Sequence, residues 1–418
     1  YMRRIFNFIN NYSLIQQIIV GLLLGIIIGF TSKTASATVA IFGEIFVNGL
    51  KAIAPVLVFF LIMAAIAKYK TNTKNQSAIR PILILYMIGT FAAAVVAVVV
   101  SYIFPITLTS LPAAVVQASP SNIIDVLHDL VIKMVDNPVN AIVSANYIGL
   151  LFWGIVFGFA LRQASHTTRK FIEDAAEVVT KAVRFVIKFA PLGILGLVAS
   201  TISETGAEAL VGYVQLVLVL LLAMAIVAFV INPAIVYWKI RSNPYPLVLT
   251  CLKESGLTAF FTRSSAANLP INLALCRKLD VDEETYSISM PLGAAINMAG
   301  AAVTITIFTL AAVHTLGIKV DFLSTILLSV VATVGACGAS GVAGGSLLLI
   351  PLACSLFGID NTIAMQLVAI GFIVGVIQDS VETAINSSTD VLFTVAADRA
   401  LQRTLGPIPR LSDEEKTS

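Results

Sequence analysis

Gln378-Asp379-Ser380-Val381-Glu382-Thr383-Ala384-Ile385-Asn386-Ser387-Ser388-Thr389-Asp390 lies inside an otherwise apolar run that starts near Ile363 and resumes at Val391. Acids in a segment that reads as buried in a bilayer are costly, and they usually mark an ion or substrate path. A helix turns by about 100° per residue, which puts Asp379, Thr383, Asn386 and Asp390 within about 60° of one another, with Glu382 just beside them. Ile377, Val381, Ala384, Ile385 and Leu392 gather on the far side. One face of this helix offers oxygen ligands and the other suits apolar surroundings. Polar contact between helices is the plainer reading of such a stripe. Three acids here face only Arg263 and Lys253 as nearby bases, so bound cations are their natural partners.

Composition agrees with a membrane setting. Of 418 residues, 58% are hydrophobic and only 12% charged, against about 25% charged in a soluble domain. Mean hydropathy is +0.94. A net charge of +3 gives no reason to expect a nucleic-acid partner. Cys251, Cys276, Cys337 and Cys354 form no close metal-type pair.

A span needs about 20 mostly apolar residues. Leu14–Phe30, Val39–Ala67, Pro81–Phe104, Ala141–Leu161, Phe185–Ser200 and Val211–Trp238 meet that need. Arg3 and Arg4 ahead of the first run, with Ala35-Ser36-Ala37 after it, resemble a signal peptide. The many later spans favour a first transmembrane helix. Lys and Arg cluster in alternate loops, which places the N- and C-termini in the cytoplasm.

Beyond Trp238 the pattern changes. Pro246–Ala274 carries Lys253, Glu254 and Arg263, and its middle is Ser264-Ser265-Ala266-Ala267-Asn268-Leu269-Pro270. Thr325–Phe357 has a middle running Gly335-Ala336-Cys337-Gly338-Ala339-Ser340-Gly341-Val342-Ala343-Gly344-Gly345. Both middles are poor helix interiors. Irregular backbone at membrane depth survives only where protein buries it or it lines a cavity. Two re-entrant helical hairpins with tips near the midplane fit, and paired interruptions of this kind point to a transporter binding site. Tyr286–His314 is broken in turn by Asn297-Met298-Ala299-Gly300-Ala301, where freed oxygens suit a small hard cation. With the six spans above, this broken helix and the acidic one predict eight transmembrane helices and two re-entrant hairpins in an all-α polytopic protein. Gly338-Ala339-Ser340-Gly341 also matches the string of intramembrane serine proteases. No histidine falls mid-membrane to serve Ser340 as base, so a transporter rather than an enzyme is expected.

Taken in order, these segments resemble the dicarboxylate/amino acid:cation symporter family, which has the glutamate-transporter fold. The resemblance covers nearly the whole chain. It rests on Arg263-Ser264-Ser265, Pro291-Leu292-Gly293 leading into Asn297-Met298, Gly341-Val342-Ala343-Gly344, and Asn386 with Asp390. Thr258 to Asn268 and Asn386-Ser387-Ser388-Thr389-Asp390 are most similar to its bacterial serine/threonine:sodium branch. The resemblance implies a homotrimer in the bacterial inner membrane that works by elevator-like displacement. Residues 1–240 would be mainly scaffold and trimerisation helices, with the third span and part of this region open to assignment to the transport part. Residues 241–400 would form the transport core and 401–418 a cytoplasmic tail. It further implies that Asp379 binds the substrate amino group, with Thr383 beside it. Asn386 and the Ser264-Ser265 backbone would hold the α-carboxylate, and Gly341 of the second tip and Glu382 would also line the substrate site. Gly293, Asn297, Asn386 and Asp390 would bind one sodium ion, and Met298, Thr333 and Val334 a second.

The chain also departs from the family pattern. Acidic-substrate members carry Arg where Glu382 stands and Thr where Ala301 stands. A carboxylate at Glu382 repels a second carboxylate in a low-dielectric site and accepts from a hydroxyl. Ala299 replaces an Asp, and Gly89 with Thr90 alters a nearby hydroxyl position, so fewer sodium ions are expected. The sequence therefore predicts sodium-coupled import of L-serine and L-threonine, with acidic substrates as the alternative and a serine hydrolase as a remote one.

Overall fold

A computed structural model describes residues 12–68, 76–109, 111, 128, 131–339 and 344–405, and every regular element among them is helical. Helices α1 (Leu14–Thr31), α2 (Lys33–Lys68) and α3 (Gln76–Ile103) open the chain. Ser13 starts α1 with a capping box: its hydroxyl accepts from Gln16 N, and Gln16 Oε1 accepts from Ser13 N at 2.8 Å. Among the described residues, six helices are long and apolar enough to cross a membrane: Leu14–Thr31, Lys33–Ala67, Ile79–Ile103, Glu208–Ile240, Glu283–Thr315 and Asn361–Arg403.

The fourth and fifth expected spans are where the structure differs. Ala141–Leu161 is not continuous. It divides into α4 (Pro138–Val143) and α5 (Tyr147–Leu161) around Ala145, whose φ is 54°. The cause is polar. Asn146 caps α5 by accepting from Gly149 N, and its Nδ2 donates to Lys133 O and to Asp136 Oδ2. Trp153 Nε1 donates to Asp136 O at 2.6 Å, closing the knot. Hydrogen bonds from Asn140 and Asn146 hold the Asp136 carboxyl below its ordinary pKa.

Phe185–Ser200 is also broken. An amphipathic helix, α6 (His166–Ile187), meets α7 (Ala190–Thr205) at a 50° bend. Pro191 suits the first turn of a new helix but not the interior of a continuing one. Lys170–Asp174 and Lys181–Glu177 pair along the polar face of α6.

Helix α8 (Glu208–Ile226) runs through one π turn (Val227–Ile231) into α9 (Asn232–Ile240). Pro233 has no N–H for the Phe229 carbonyl, and the Tyr245 hydroxyl supplies the missing donor at 3.2 Å. The chain then folds back twice.

The first hairpin is α10 (Tyr245–Cys251), a π turn (Leu252–Gly256), α11 (Leu257–Thr262) and the returning α12 (Ser265–Lys278). Helix α13 (Glu283–Ile296) and α14 (Ala299–Thr315) form the broken span. The second hairpin is α15 (Phe322–Ala336) and a return through a 3-10 turn (Leu347–Leu349) into α16 (Ile350–Ser355). Its tip at 340–343 lies outside the described residues.

The last helix, α17 (Asn361–Leu405), has 45 residues, about 65 Å of helix against a hydrocarbon core of about 30 Å. It passes both hairpins and the α13–α14 break. Every residue of α14 from Ala299 to Val313 is buried, so this half-span is enclosed by protein. Helix α3 lies against it. The tail expected from residue 401 stays helical to Leu405, and the rest is outside the described residues.

Candidate functional site

The site is built where three interrupted segments meet one uninterrupted helix. Helix α13 ends at Ile296 and α14 restarts at Ala299. Asn297 (φ −90°, ψ 83°) and Met298 (φ −122°, ψ 51°) leave the helical region between them. A break frees N–H groups on one side and carbonyls on the other, and α17 meets both. Asn386 Oδ1 accepts from Gly300 N at 2.7 Å, while its Nδ2 lies 3.4 Å from Met298 Sδ. Asn297 Nδ2 donates to Asp390 Oδ1 (2.8 Å), Thr389 Oγ1 (2.8 Å) and Asn386 O (3.3 Å).

Two acceptors in this knot, Asn297 Oδ1 and Asp390 Oδ2, are buried without a hydrogen-bond partner. Buried acceptors left this way are uncommon and need an explanation. The approach is close: a Cβ at Gly293 would stand 2.7 Å from Asp390 Oδ1 and 2.9 Å from Tyr86 Oη. Tyr86 lies between Ser289 O, Asp390 O and Thr394 Oγ1, which fixes α3 to α13 and α17. The result is one carboxylate among neutral oxygens, with two acceptors open. That chemistry suits a cation with few charges to satisfy.

The second expected ion position lies between the Met298 break and the last turn of α15. Met298 is at the break as expected, and Thr333 and Val334 sit inside α15, which continues to Ala336. Thr333 Oγ1 donates to Ser329 O within its own helix. The side chain that bridges these elements is Cys337, whose Sγ lies 3.5 Å from Ile296 O and 3.4 Å from Thr333 O. Sequence reasoning passed over Cys337 because an isolated cysteine carries no spacing signal.

At the first hairpin, Arg263 takes a left-handed conformation (φ 52°) that ends α11, and Ser264 caps α12 by accepting from Ala267 N. Ser265 is buried, and its hydroxyl has no hydrogen-bond partner among the described residues. The turn aims Arg263 at α17. Its Nε donates to Asp379 Oδ2 at 2.7 Å and its Nη2 to Gly375 O at 3.2 Å. Side-chain exposure is 15% for Arg263 and 3% for Asp379, so this is a shielded pair. The other Asp379 oxygen accepts from Gly344 N of the second hairpin at 3.1 Å. Asp379 thus touches both tips. Lys253, the other base weighed for these acids, is exposed. Thr383 lies on the same face and donates to Asp379 O.

Glu382 is held by three neutral donors on one oxygen. Thr304 Oγ1 lies 2.7 Å, Ser346 Oγ 2.8 Å and Gln378 Nε2 2.5 Å from its Oε2. Gln378 also donates to Thr304 Oγ1 at 2.8 Å. Thr304 and Ser346 carried no signal in the sequence, whereas Gln378 stood one helical turn before Glu382. Ser340 and Gly341 lie outside the described residues.

Outside the tips is a cavity of about 410 Å³, walled by Lys170, Glu173, Glu177 and Lys181 of α6 and reaching Ser264 and Cys337. A charged vestibule therefore leads to the hairpin tips.

Residues 14–400 match a model of the sodium:dicarboxylate symporter family. The chain belongs to that family. Its members are sodium-coupled symporters of dicarboxylates and amino acids, and the match covers both hairpins, the α13–α14 break and the acidic helix. Family and apolar helices together make this symporter an integral membrane protein.

Proposed function

We propose that this symporter imports L-serine and L-threonine with sodium ions. The observation that carries the reading is Glu382: a buried carboxylate bonded by three neutral donors, while the neighbouring cation, Arg263, is engaged by Asp379. A dicarboxylate's second acid group brought beside Glu382 would meet like charge at low dielectric, which costs kilocalories. A hydroxyl would meet an acceptor.

In this reading the substrate ammonium pairs with Asp379, which Arg263 and Gly344 N hold between the tips. The substrate carboxylate takes the N-terminal end of α12, where N–H groups and the helix dipole favour an anion and the Ser265 hydroxyl is unpaired. Sodium sits by Asp390 with oxygens of Gly293, Asn297 and Asn386; the open acceptors on Asn297 and Asp390 support it. Asn386 would link the events, because its side chain contacts Gly300 and Met298 while its carbonyl accepts from Asn297 Nδ2 beside the proposed ion position. Met298 and the end of α15 are the natural place for a second ion. Residues 241–400, with α3, would move against a trimeric scaffold, carrying substrate across by an elevator step.

The test is uptake of labelled L-serine into proteoliposomes with and without an inward sodium gradient, with L-aspartate as competitor. Sodium-driven serine uptake that aspartate fails to block is the expected result. Aspartate uptake instead would make this a symporter of acidic substrates. Glu382→Arg is expected to shift preference toward aspartate, and a variant still rejecting aspartate would place selectivity elsewhere.

A further inference from the structure

Glu382 has four lone-pair positions on two oxygens, and the three donors from Thr304, Ser346 and Gln378 all reach Oε2. Among the described residues none reaches Oε1. A carboxylate is planar, so fixing one oxygen from three directions fixes the heading of the other. The donors come from three separate elements. Gln378 is one turn earlier on α17, Thr304 is on α14, and Ser346 is on the returning arm of the second hairpin. Gly300 opens the space for the side chain: a Cβ there would stand 3.0 Å from Glu382 Cγ and 2.7 Å from Glu382 O. The turn at 344–346 lies over both acids, with Gly344 N on Asp379 and Ser346 Oγ on Glu382.

We propose that Gln378, Thr304 and Ser346 are positioning residues that tie down Oε2 of Glu382 and present Oε1 as the acceptor for the substrate hydroxyl. This inference rests on the serine/threonine reading above and adds what makes it selective. Without its three donors the Glu382 side chain would turn among rotamers, and the hydroxyl would lose a fixed partner. A substrate without a hydroxyl, such as alanine, makes no use of Oε1 and is indifferent to its heading. A site built to bond a hydroxyl discriminates strongly against the analogue lacking it, because the polar group is then left unpaired.

The experiment compares half-saturating concentrations of L-serine and L-alanine in proteoliposomes, with alanine read as a competitor. The proteins are wild type, Thr304→Val, Gln378→Met and Thr304→Ser. Wild-type serine uptake is read first; if it is absent, the substrate assignment fails and the inference falls with it. With that uptake present, Thr304→Val and Gln378→Met are each expected to raise the serine value about tenfold, because the substrate hydroxyl loses its charge-assisted hydrogen bond to a fixed Oε1. The alanine value should stay near wild type, and Thr304→Ser, which keeps the hydroxyl, should restore serine. Parallel weakening of serine and alanine, or an unmoved ratio, overturns the proposal. So does failure of both Thr304→Val and Gln378→Met to assemble in the membrane, which would assign the cluster to folding.

Discussion

The two hairpins are attached to α17 by different chemistry. Both arms of the first reach Ser387, the outgoing one through Ser255 Oγ, 3.4 Å from Ser387 Oγ. Asn268 Nδ2 donates to Ser387 Oγ at 2.8 Å, and Asn272 Nδ2 donates to Ser387 O and Oγ. Ser255 closes the network by donating to Asn272 Oδ1 at 2.5 Å, and its carbonyl accepts from Asn268. All these groups are neutral and buried, and among the described residues Asn268 Oδ1 is the one acceptor in the network left without a partner. The hydrogen bonds from the second hairpin to α17 described above end on Asp379 and Glu382, the acids of the proposed substrate site. Releasing the first hairpin would strip this neutral network of partners and break the one ion pair from its tip, Arg263 to Asp379. Releasing the second uncovers two carboxylates, so its position depends on what occupies them. If Asp379 and Glu382 take the substrate as proposed, the second hairpin, which meets both acids, responds to it more than the first, which meets Asp379 alone through Arg263.

The sharpest test of that contrast is the contact both tips share. Arg263→Ala leaves Asp379 as a buried, unpaired charge, a change of about 3–5 kcal/mol. Sodium-driven uptake should be lost and the thermal midpoint should fall, while Arg263→Lys should recover part of both. Wild-type behaviour from Arg263→Ala would show that Asp379 holds neither tip through this pair. Asp390→Asn comes next. It removes the single carboxylate of the proposed ion site, worth about 2–3 kcal/mol, or about a hundredfold in the half-activating sodium concentration. An unchanged sodium response would move the ion elsewhere. Asn272→Leu attacks the first hairpin alone. Leaving Ser255 and Ser387 without their partner should cost about 2 kcal/mol, seen as a lower thermal midpoint. The half-saturating serine concentration should not move, and a variant weakened chiefly in serine affinity would break the distinction between the hairpins.

Much of this was legible in the sequence because the signals were local. Acids at helical spacing marked one face of α17, and small-residue middles marked the helix interruptions after Thr262, Ile296 and Ala336. Bends at 144–146 and 188–189 were hidden because hydropathy hardly changes there. They depend on caps and on Pro191, which a count of apolar residues does not weigh. The partners of the acids were least legible. Arg263 was a candidate as the nearest intramembrane base, but its pairing with Asp379 spans 116 positions. Ser346 and Thr304 reach Glu382 across 36 and 78. A serine in a glycine-rich tip and a threonine in an apolar helix are ordinary residues until the fold brings them to one oxygen. The same holds for Tyr86, whose hydroxyl joins three helices from a stretch that reads as plain membrane span.

Ser346→Ala should have the smallest effect and bears most directly on how the two hairpins differ. It removes one of three donors to Glu382 and leaves Thr304 and Gln378 in place, so the carboxylate remains bonded. The loss should be about 1 kcal/mol, below the usual range for a hydrogen bond to a charged group because two donors remain. It falls on the returning arm of the second hairpin. Amide hydrogen exchange at 344–349 should therefore speed up by about fivefold, while exchange at 265–272 in the first hairpin stays the same. Adding serine with sodium should slow the faster segment again, because a substrate hydroxyl supplies Glu382 with a donor. Equal acceleration in both hairpins would mean that they loosen as one unit, with Glu382 no more tied to the second than to the first.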